Sequence, residues 1–245
     1  MGIGYANSRP PIHSLVIARV FSQLGAARKF SCVLDVGCGA GLSTCPLLPF
    51  ADFCIAFDPA EAMLKRSSSV APGAVFIAAR AEAMPVRTGS IDLMTAAGSL
   101  NYADLDLFFP EALRVLTATG TLVVYDFSQG RTFRESRSLD LWYDEFLARY
   151  PNPPDSAHRL DPETLASIVP GLRLSAHERF EIGLPVSPQF YVDYIMTETN
   201  ISNAIAHGAR EADIRAWCED SLAPVFNGQE REVLFRGYIA YLVKS

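Results

Sequence analysis

The ten residues from Val33 to Leu42 read VLDVGCGAGL, and they place glycine at positions 37, 39 and 41. The apolar start of this stretch predicts a short strand, and the pattern that begins at Leu42 predicts a helix. Glycine has no Cβ, so the chain can turn sharply there and its backbone can approach a ligand closely. A helix that follows such a turn points free N–H groups and a partial positive charge at the turn. The stretch therefore predicts a strand–turn–helix unit that binds a ligand.

The spacing of the glycines separates the nucleotide sites that use such a turn. A dinucleotide fingerprint, G-x-G-x-x-G, needs glycine or alanine at its last place. Counting from Gly37 that place is Leu42, and counting from Gly39 it is Thr44. A phosphate loop needs Gly-Lys-Ser/Thr, and this stretch contains no lysine. Both phosphate-binding interpretations fail, and Leu42 argues against a nicotinamide oxidoreductase.

Two aspartates lie where they could serve a ligand in the turn. Asp35 precedes the glycines, so we expect its carboxylate to order the loop and to accept a hydrogen bond from a cationic ligand group. Asp58 ends a second predicted strand over 52–57, and Pro59 opens a helix that runs to Arg66. An acid about 20 residues past the turn can accept bonds from both ribose hydroxyls. Its alternative role is to cap the following helix, and the two roles are compatible.

Further motifs stand on both sides of this unit. Tyr5, Arg9 and Pro10 form Y-x-x-x-R-P before a helix predicted over 13–27. The segment RAEAMP at 80–85 precedes an apolar strand predicted over 91–97, which is typical of the centre of a parallel sheet. The sequence GSLNY follows at 98–102, and E-x-x-R-V-L occupies 111–116 in a helix predicted over 104–116. A turn at 117–120 and a fifth strand over 121–125 come next.

These motifs, in this order, resemble those of the class I S-adenosylmethionine-dependent methyltransferases, in particular small-molecule enzymes of the trans-aconitate and ubiquinone–menaquinone biosynthesis types. The resemblance covers residues 5 to about 127. It implies a Rossmann-like α/β fold: a seven-stranded, mostly parallel sheet with its last strand antiparallel, helices on both faces and helical cap inserts. It also implies S-adenosyl-L-methionine as the cofactor and S-adenosyl-L-homocysteine as the product.

The resemblance also implies which residues hold the cofactor. They are Tyr5, Arg9, Asp35, Gly37, Cys38, Gly39, Asp58, Pro59, Met63, Ala81, Glu82, Gly98 and Ser99. Arg9 would meet the methionine carboxylate, a charge-assisted contact; the alternative is a solvated arginine on a frayed end. Arg80 stands where many relatives have an acid, which leaves adenine recognition to the backbone of Ala81 and to apolar stacking. The alternative for Glu82 is a surface glutamate that caps a turn.

Methyl transfer asks the protein to align the acceptor, exclude water and, for some acceptors, remove a proton. A carboxylate or thiolate acceptor needs no base, whereas a phenol, alcohol or acidic carbon usually does, and histidine is the commonest base. Asn101 and Tyr102 replace the His-aromatic pair of many relatives, and we expect them beside the transferred methyl group. His158, in the loop before a helix that starts near 161, is the best base candidate by position. The alternatives are a solvated loop histidine and an ordinary tyrosine.

Composition narrows the class of protein. The chain has 245 residues, 49% of them apolar, which suits one methyltransferase domain over 1–245. It carries a net charge of −6 and no apolar run near the roughly 20 residues that span a bilayer, so we expect neither nucleic-acid nor membrane partners. We see no secretory signal, and the five cysteines form no C-x-x-C. We therefore expect a cytoplasmic monomer or homodimer without metal.

Within the domain we expect a cofactor-covering N-terminal helix in 1–30, a cofactor-binding core over 31–127, and helical inserts over 128–160 and 184–226 that cap the substrate cleft. Seven aromatic residues in these inserts suggest an apolar or aromatic acceptor, although such residues at helical spacing often serve a core. They are Phe133, Trp142, Tyr143, Phe146, Phe190, Tyr191 and Tyr194.

The sequence favours methyl transfer to oxygen or carbon of a small organic acceptor, such as an intermediate of secondary metabolism. The Asn/Asp-Pro-Pro-Tyr/Phe motif of amino-methylating enzymes is replaced by Gly-Ser-Leu-Asn at 98–101. The alternative is a protein that binds S-adenosylmethionine without methyl transfer, either a regulatory subunit or an enzyme that uses the cofactor's charge in a cyclisation or elimination.

Overall fold

The computed structural model describes residues 8–25, 29–153, 160–168 and 171–245, and the chain divides into two compact units. The unit that we call the insert unit comprises the described parts of residues 1–10, 128–156 and 181–236. The sheet unit comprises the described parts of residues 11–127, 157–180 and 237–245. The predicted inserts over 128–160 and 184–226 lie close to these boundaries, and their covering role stays a prediction.

The sheet unit alternates strands and helices. Its elements before the insert are α1 (Ile12–Gln23), β1 (Phe30–Val36), a 3-10 helix (Cys45–Phe50), β2 (Ala51–Asp58), α2 (Glu61–Leu64), α3 (Ser67–Val70), β3 (Val75–Ala78), β4 (Ile91–Ala97), a 3-10 turn (Leu100–Tyr102), α4 (Leu105–Val115) and β5 (Leu116–Phe127).

The rest of the chain supplies further strands and the helices described for the insert unit. These elements are β6 (Thr132–Phe133), α5 (Ser138–Arg149), α6 (Pro162–Ile168), β7 (Leu172–Val186), α7 (Pro188–Ile195), α8 (Thr199–Ala206), α9 (Glu211–Phe226) and β8 (Arg231–Lys244).

The strands form one mixed sheet in the order β3-β2-β1-β4-β5-β8-β6, and β7 also pairs with β8. Strands β1 to β5 pair in parallel, while β8 runs antiparallel to β5 and β6. The strand order reverses between β1 and β4, and ligands of open α/β sheets bind at such a switch point. The prediction of a Rossmann-like, mostly parallel sheet is confirmed, and the eighth strand is the two-residue β6.

Burial explains why the central strands form. In β4 the residues at 91 and 93–96 are buried, and in β1 those at 33–36 are buried, because helices cover both faces of a parallel sheet. Helix α4 begins at Asp104, whose carboxylate accepts hydrogen bonds from the N–H groups of Asp106 and Leu107. Its apolar face places Phe108, with no exposed surface, in the core beneath the sheet.

Several predicted elements have different bounds in the structure. The insert predicted over 128–160 contains the strand β6 before its first helix begins at Ser138, and the insert predicted over 184–226 is divided into α7, α8 and α9. The turn predicted at 117–120 lies inside β5, which already begins at Leu116. Glycine suits this continuation because a Cβ at Gly120 would lie 2.8 Å from the carbonyl oxygen of Ile91.

Helix α1 packs as a core helix of the sheet unit. Five of its residues, including Val16 and Phe21, are buried, and the Phe21 ring stacks on that of Phe50 with centroids 3.7 Å apart. The cofactor-covering role expected for the N-terminal region therefore stays a prediction. None of the helices in the described parts of the chain is long and apolar enough to cross a membrane.

The insert unit has an aromatic core of its own. Trp142 stacks on Phe146 and Trp217 with centroids 5.2 and 5.8 Å away, and its indole N–H donates to Ser221. Six of the seven aromatic residues expected to face an acceptor are at most 4% exposed, and Phe190 is half-buried. These six side chains serve the unit's core, as the alternative interpretation held.

Replacing Phe108 with alanine should lower the free energy of unfolding by about 3–5 kcal/mol, because it leaves a cavity in a core with little freedom to collapse. Phe53→Ala is the matched control, since Phe53 lies on β2 and is 49% exposed; it should cost less than about 1 kcal/mol. Urea denaturation followed by circular dichroism measures both values. Equal losses in the two variants would contradict the burial that the structure gives them.

Candidate active site

The glycine loop follows β1 and packs against Ser99, which follows β4. Gly37, Gly39 and Gly41 have φ values of 70°, 53° and 89°, which lie in the left-handed region that favours glycine. A Cβ added at Gly37 would collide with the Cβ of Ser99, whereas one at Gly39 would meet, within the described ranges, only the terminal methyl of Met63 at 3.5 Å. Gly37 therefore permits close packing of protein against protein, and Gly39 leaves its backbone open.

The α-helix predicted from Leu42 is wrong. The chain makes successive turns up to residue 44, closed by a hydrogen bond from the N–H of Cys45 to the carbonyl of Gly41 at 3.0 Å. A six-residue 3-10 helix follows, which contains Pro46 and Pro49. Proline has no N–H to donate to an α-helical ladder, so these residues disfavour a long α-helix here. The glycine loop thus lacks the aligned helix dipole that the sequence predicted.

Asp35 orders this loop from below. Its side chain is fully buried, and its Oδ2 accepts hydrogen bonds from the hydroxyls of Ser43 and Thr44, each at 2.7 Å. Its Oδ1 accepts from the hydroxyl of Thr95 on β4 at 2.8 Å. Burial raises the pKa of Asp35, and the three hydroxyl bonds oppose this effect. The expected contact with a cationic ligand group stays a prediction, since these hydroxyls are the partners seen.

Asp58 ties the second strand to the glycine loop. Its Oδ2 accepts a hydrogen bond from the N–H of Gly39 at 2.8 Å, and its Oδ1 accepts from the N–H of Ala60 at 2.8 Å. The N–H of Cys38 donates to the carbonyl of Phe57 beside it. A carboxylate offers about four acceptor positions, so Asp58 keeps capacity for ribose hydroxyls.

The neighbours of Asp58 differ partly from expectation. The helix predicted from Pro59 to Arg66 is the four-residue α2, and Pro59 precedes its N-cap, Ala60. The side chain of Cys38 is 4% exposed, and burial raises the pKa of its thiol, which keeps it protonated.

The segment at 80–85 borders an open cleft. Glu82 accepts a hydrogen bond from the N–H of Asp104 at 2.9 Å and lies 3.5 Å from the guanidinium of Arg80. Burial favours a higher pKa for Glu82, but the backbone bonds and Arg80 together lower it. Glu82 thus fastens the start of α4, as its alternative held, and its ligand role stays a prediction. The cleft, of about 530 Å³, is lined by Arg80, Glu82, Tyr102, Ala103, Asp104, Leu105 and Asp106.

The ends of β4 and β5 meet beside the glycine loop. Gly98, with φ 62°, donates its N–H to the carbonyl of Tyr125 at 2.8 Å, and the Ser99 hydroxyl donates to the carbonyl of Val36 at 2.6 Å. Asn101 donates to Oδ2 of Asp126 at 2.9 Å, and Tyr102 is 75% exposed at the cleft. The structure thus brings Gly98, Ser99 and Asn101 together.

Sequence reasoning missed Asp126. Its Oδ1 accepts the N–H of Phe127 at 2.8 Å, and burial raises its pKa, while the bond from Asn101 opposes the shift. The available signal was an acid at the carboxyl end of a parallel strand next to the predicted switch point.

Arg9 has partners of its own within the insert unit. Arg9 belongs to the insert unit, where its guanidinium lies 3.2 Å from Glu198, donates to the carbonyl of Thr197 and covers the ring of Tyr194 at 5.2 Å. The solvated alternative for Arg9 is therefore wrong, and its contact with the methionine carboxylate stays a prediction. Tyr5 and His158 lie outside the described residues. Within the described ranges, no group of three or more His, Cys, Asp or Glu side chains could hold a metal ion.

Gly37→Ala should destabilise the protein more than Gly89→Ala. Both glycines have similar φ values, 70° and 63°, so each change carries the strain of a left-handed alanine, roughly 1–2 kcal/mol. A Cβ at Gly89 has no heavy atom of the described residues within 4 Å, whereas one at Gly37 collides with Ser99 and should cost roughly 1–3 kcal/mol more. Urea denaturation measures the difference, and equal costs would contradict the close approach.

The contribution of Asp35 to stability should fall as pH rises. Its pKa in the folded protein lies above the ordinary value of 3.8, so the folded state binds this proton more tightly than the unfolded state. The resulting stabilisation is complete below pH 3.8 and is lost as pH rises through the raised pKa. The difference in unfolding free energy between the wild type and Asp35→Asn is measured in urea at a series of pH values. It should decrease as the pH rises above about 4. An increase with pH would contradict this sign.

Residues 34–124 match a family model described as a methyltransferase domain. A demethylmenaquinone methyltransferase of Renibacterium salmoninarum is 36% identical over 118 residues, which cover 48% of this chain and 48% of that protein. The chain spans about half the length of the curated relatives that it matches.

Solved structures share the fold over most of the chain. A candidate type II methyltransferase from Anaeromyxobacter dehalogenans has a TM-score of 0.68 at 23% identity, covering 92% of this chain and 95% of that one. A geranyl diphosphate C-methyltransferase from Streptomyces coelicolor, solved with Mg²⁺, geranyl diphosphate and S-adenosyl-L-homocysteine, has a TM-score of 0.53 at 14% identity, covering 95% and 78%. Residues 34–124 thus resemble a methyltransferase domain, and most of the chain shares the fold of these solved structures.

Proposed function

We propose that this protein transfers the methyl group of S-adenosylmethionine to oxygen or carbon of a small, apolar or aromatic organic acceptor. The observation that carries the proposal is the bond between the N–H of Gly39 and Asp58, which holds a bare backbone and an acid together at the switch point of the sheet. The family match over 34–124 supports the same activity.

The residues present fit an adenosine-bearing cofactor. Among the residues that the structure describes, the methyl of Met63 alone approaches the open side of Gly39, so a ligand can lie against that backbone. The unused acceptor positions of Asp58 suit two ribose hydroxyls. Ala81, half-buried between two residues that line the cleft, would offer its N–H to the adenine ring.

The cofactor supplies a methyl group on a positively charged sulfur that is already a good leaving group. The chain's own task is to fix the acceptor in line with that methyl group and to exclude water. Gly98 and Ser99, which pack against the glycine loop, would form the floor under the reacting atoms. Tyr102, which is exposed at the cleft, would contact an apolar acceptor.

The remaining expectations belong to the same proposal. The net charge of −6 favours a small-molecule acceptor over a nucleic acid. The five cysteines are free, which suits a reducing cytoplasm. The proposed oligomeric state is a monomer or homodimer.

Calorimetry with S-adenosylmethionine and S-adenosylhomocysteine tests cofactor binding. Asp58→Ala should weaken binding about 10- to 100-fold, because it removes one or two hydrogen bonds to a charged acceptor. Asp52→Ala is the matched control, since Asp52 lies exposed at the start of the same strand, and its affinity should equal that of the wild type. No binding by the wild type at about hundred-micromolar levels would defeat the proposal.

Transfer itself separates this function from binding without methylation. The protein is incubated with methyl-labelled cofactor and a panel of phenols, enols, carboxylic acids and thiols, and products are identified by mass spectrometry. A labelled acceptor supports transfer. Tight cofactor binding with no labelled product, from the panel or from a small-molecule extract, would favour a binding protein or a cofactor-assisted cyclisation.

A further inference from the structure

We propose that Asp126, oriented by Asn101 and flanked by Tyr238, is the catalytic base of this enzyme, and that its acceptor carries an ionisable hydroxyl, as a phenol or enol does. This inference rests on the proposed function and names the class of acceptor. It assigns proton removal to β5, whereas the sequence had suggested His158, which lies outside the described residues.

The position of Asp126 is the first support. It stands at the carboxyl end of β5, and a Cβ added at Gly98 would lie 3.0 Å from its Oδ1, so the carboxylate rests against bare backbone. The next residue, Ser99, contacts Gly37 of the glycine loop. Two residues thus connect the acid to the loop expected to hold the cofactor.

Two donors fix the orientation of the carboxylate. The amide of Asn101 donates to Oδ2 at 2.9 Å and the N–H of Phe127 donates to Oδ1 at 2.8 Å. A carboxylate has about four acceptor positions, so each oxygen can still receive a proton from a ligand. Part of the Asp126 side chain is exposed, which gives a ligand access.

Tyr238 supplies the second polar group. It is paired directly opposite Asp126 in the antiparallel β5–β8 ladder, so both side chains lie on one face of the sheet. The residue is 6% exposed, and within the described part of the chain its hydroxyl is buried without a hydrogen-bond partner. Buried hydroxyls are nearly always bonded, so an unbonded one beside an accessible acid indicates a place for a ligand's oxygen.

The electrostatic environment suits a base. Burial raises the pKa of Asp126 more than its two donors lower it. Burial raises the pKa of Tyr125 and of Tyr238; the charge of Asp126 raises both further, and Asp161 at the start of α6 also raises that of Tyr238. A carboxylate with a raised pKa accepts a proton more readily, which favours general-base catalysis near neutral pH.

The step balances without another reactant. The acceptor's hydroxyl gives its proton to Asp126 while its oxygen forms the new bond to the methyl carbon. The electron pair of the broken methyl–sulfur bond remains on sulfur and neutralises its charge. Asp126 then releases the proton to solvent, so the products are a methyl ether, the thioether and one proton.

Carbon-13 NMR of aspartate-labelled protein tests the site without catalysis. The Asp126 signal, identified by its absence in Asp126→Asn, should titrate above the ordinary value of 3.8. Asn101→Ala should raise that pKa further, because the amide bond favours the charged form. Adding a phenol to protein loaded with S-adenosylhomocysteine should shift this signal and leave that of Asp92 unmoved. An Asp126 signal with an ordinary pKa that ignores the phenol would overturn the inference.

Kinetics with the phenols of the panel give the second readout. Asp126→Asn should slow methyl transfer about 10²- to 10⁴-fold and remove the acidic limb of the pH–rate profile. The calorimetric Kd of this variant for S-adenosylmethionine should stay within about twofold of the wild-type value. Tyr238→Phe should raise KM for the phenol more than it lowers kcat. Asp92→Asn, at the opposite end of β4, is the matched control and should behave as wild type.

The outcomes separate this inference from the proposed function. If the wild type binds no cofactor, the proposed function is contradicted. The NMR titration still tests whether the pKa of Asp126 is raised. If the Asp126→Asn variant methylates phenols as fast as the wild type, or if the wild type accepts only carboxylates and thiols, the assignment of Asp126 as the base is overturned. The proposed methyltransferase activity is unaffected by either result.

Discussion

The hydrogen bond between the N–H of Gly39 and the carboxylate of Asp58 is the contact on which the rest of the site depends. It joins the ends of β1 and β2, and it lies beside the close approach of Gly37 to Ser99, which joins β1 to β4. Three strand ends are thereby fixed at the switch point by contacts that tolerate little change in side-chain volume. A ligand at this edge meets a preformed backbone surface.

Three aspartates at this edge differ in how their hydrogen-bonding capacity is used. Asp35 is fully buried and bonds three hydroxyls, so it organises the loop. Asp58 is 9% exposed and bonds two backbone N–H groups, which leaves capacity for a neutral polar ligand. Asp126 is partly exposed, has a raised pKa and is paired across the β5–β8 ladder with Tyr238, whose hydroxyl has no hydrogen-bond partner among the described residues. We therefore propose that β1 carries a loop-ordering acid, β2 a binding acid and β5 a proton acceptor.

The positions of the parallel strands and of the glycine loop could be predicted from the sequence because both depend on local signals. Apolar runs identify buried parallel strands, and the glycines at 37, 39 and 41 mark a backbone that only glycine adopts easily. The helix after Leu42 could not be predicted by periodicity alone, since Pro46 and Pro49 redirect the chain into a 3-10 helix. The internal partners of Glu82 and Arg9 also escaped prediction, because Asp104 and Glu198 are distant in sequence. Asp126 acquires its significance only through the β5–β8 register, which brings Tyr238 opposite it.

A crystal structure of the protein with S-adenosylhomocysteine would measure the central contact directly. Both ribose hydroxyls should lie within hydrogen-bond distance of Asp58 while the bond from Gly39 to the same carboxylate persists. A nucleoside bound elsewhere, or a glycine loop closed by its own side chains with the ligand displaced, would contradict the proposed cofactor site.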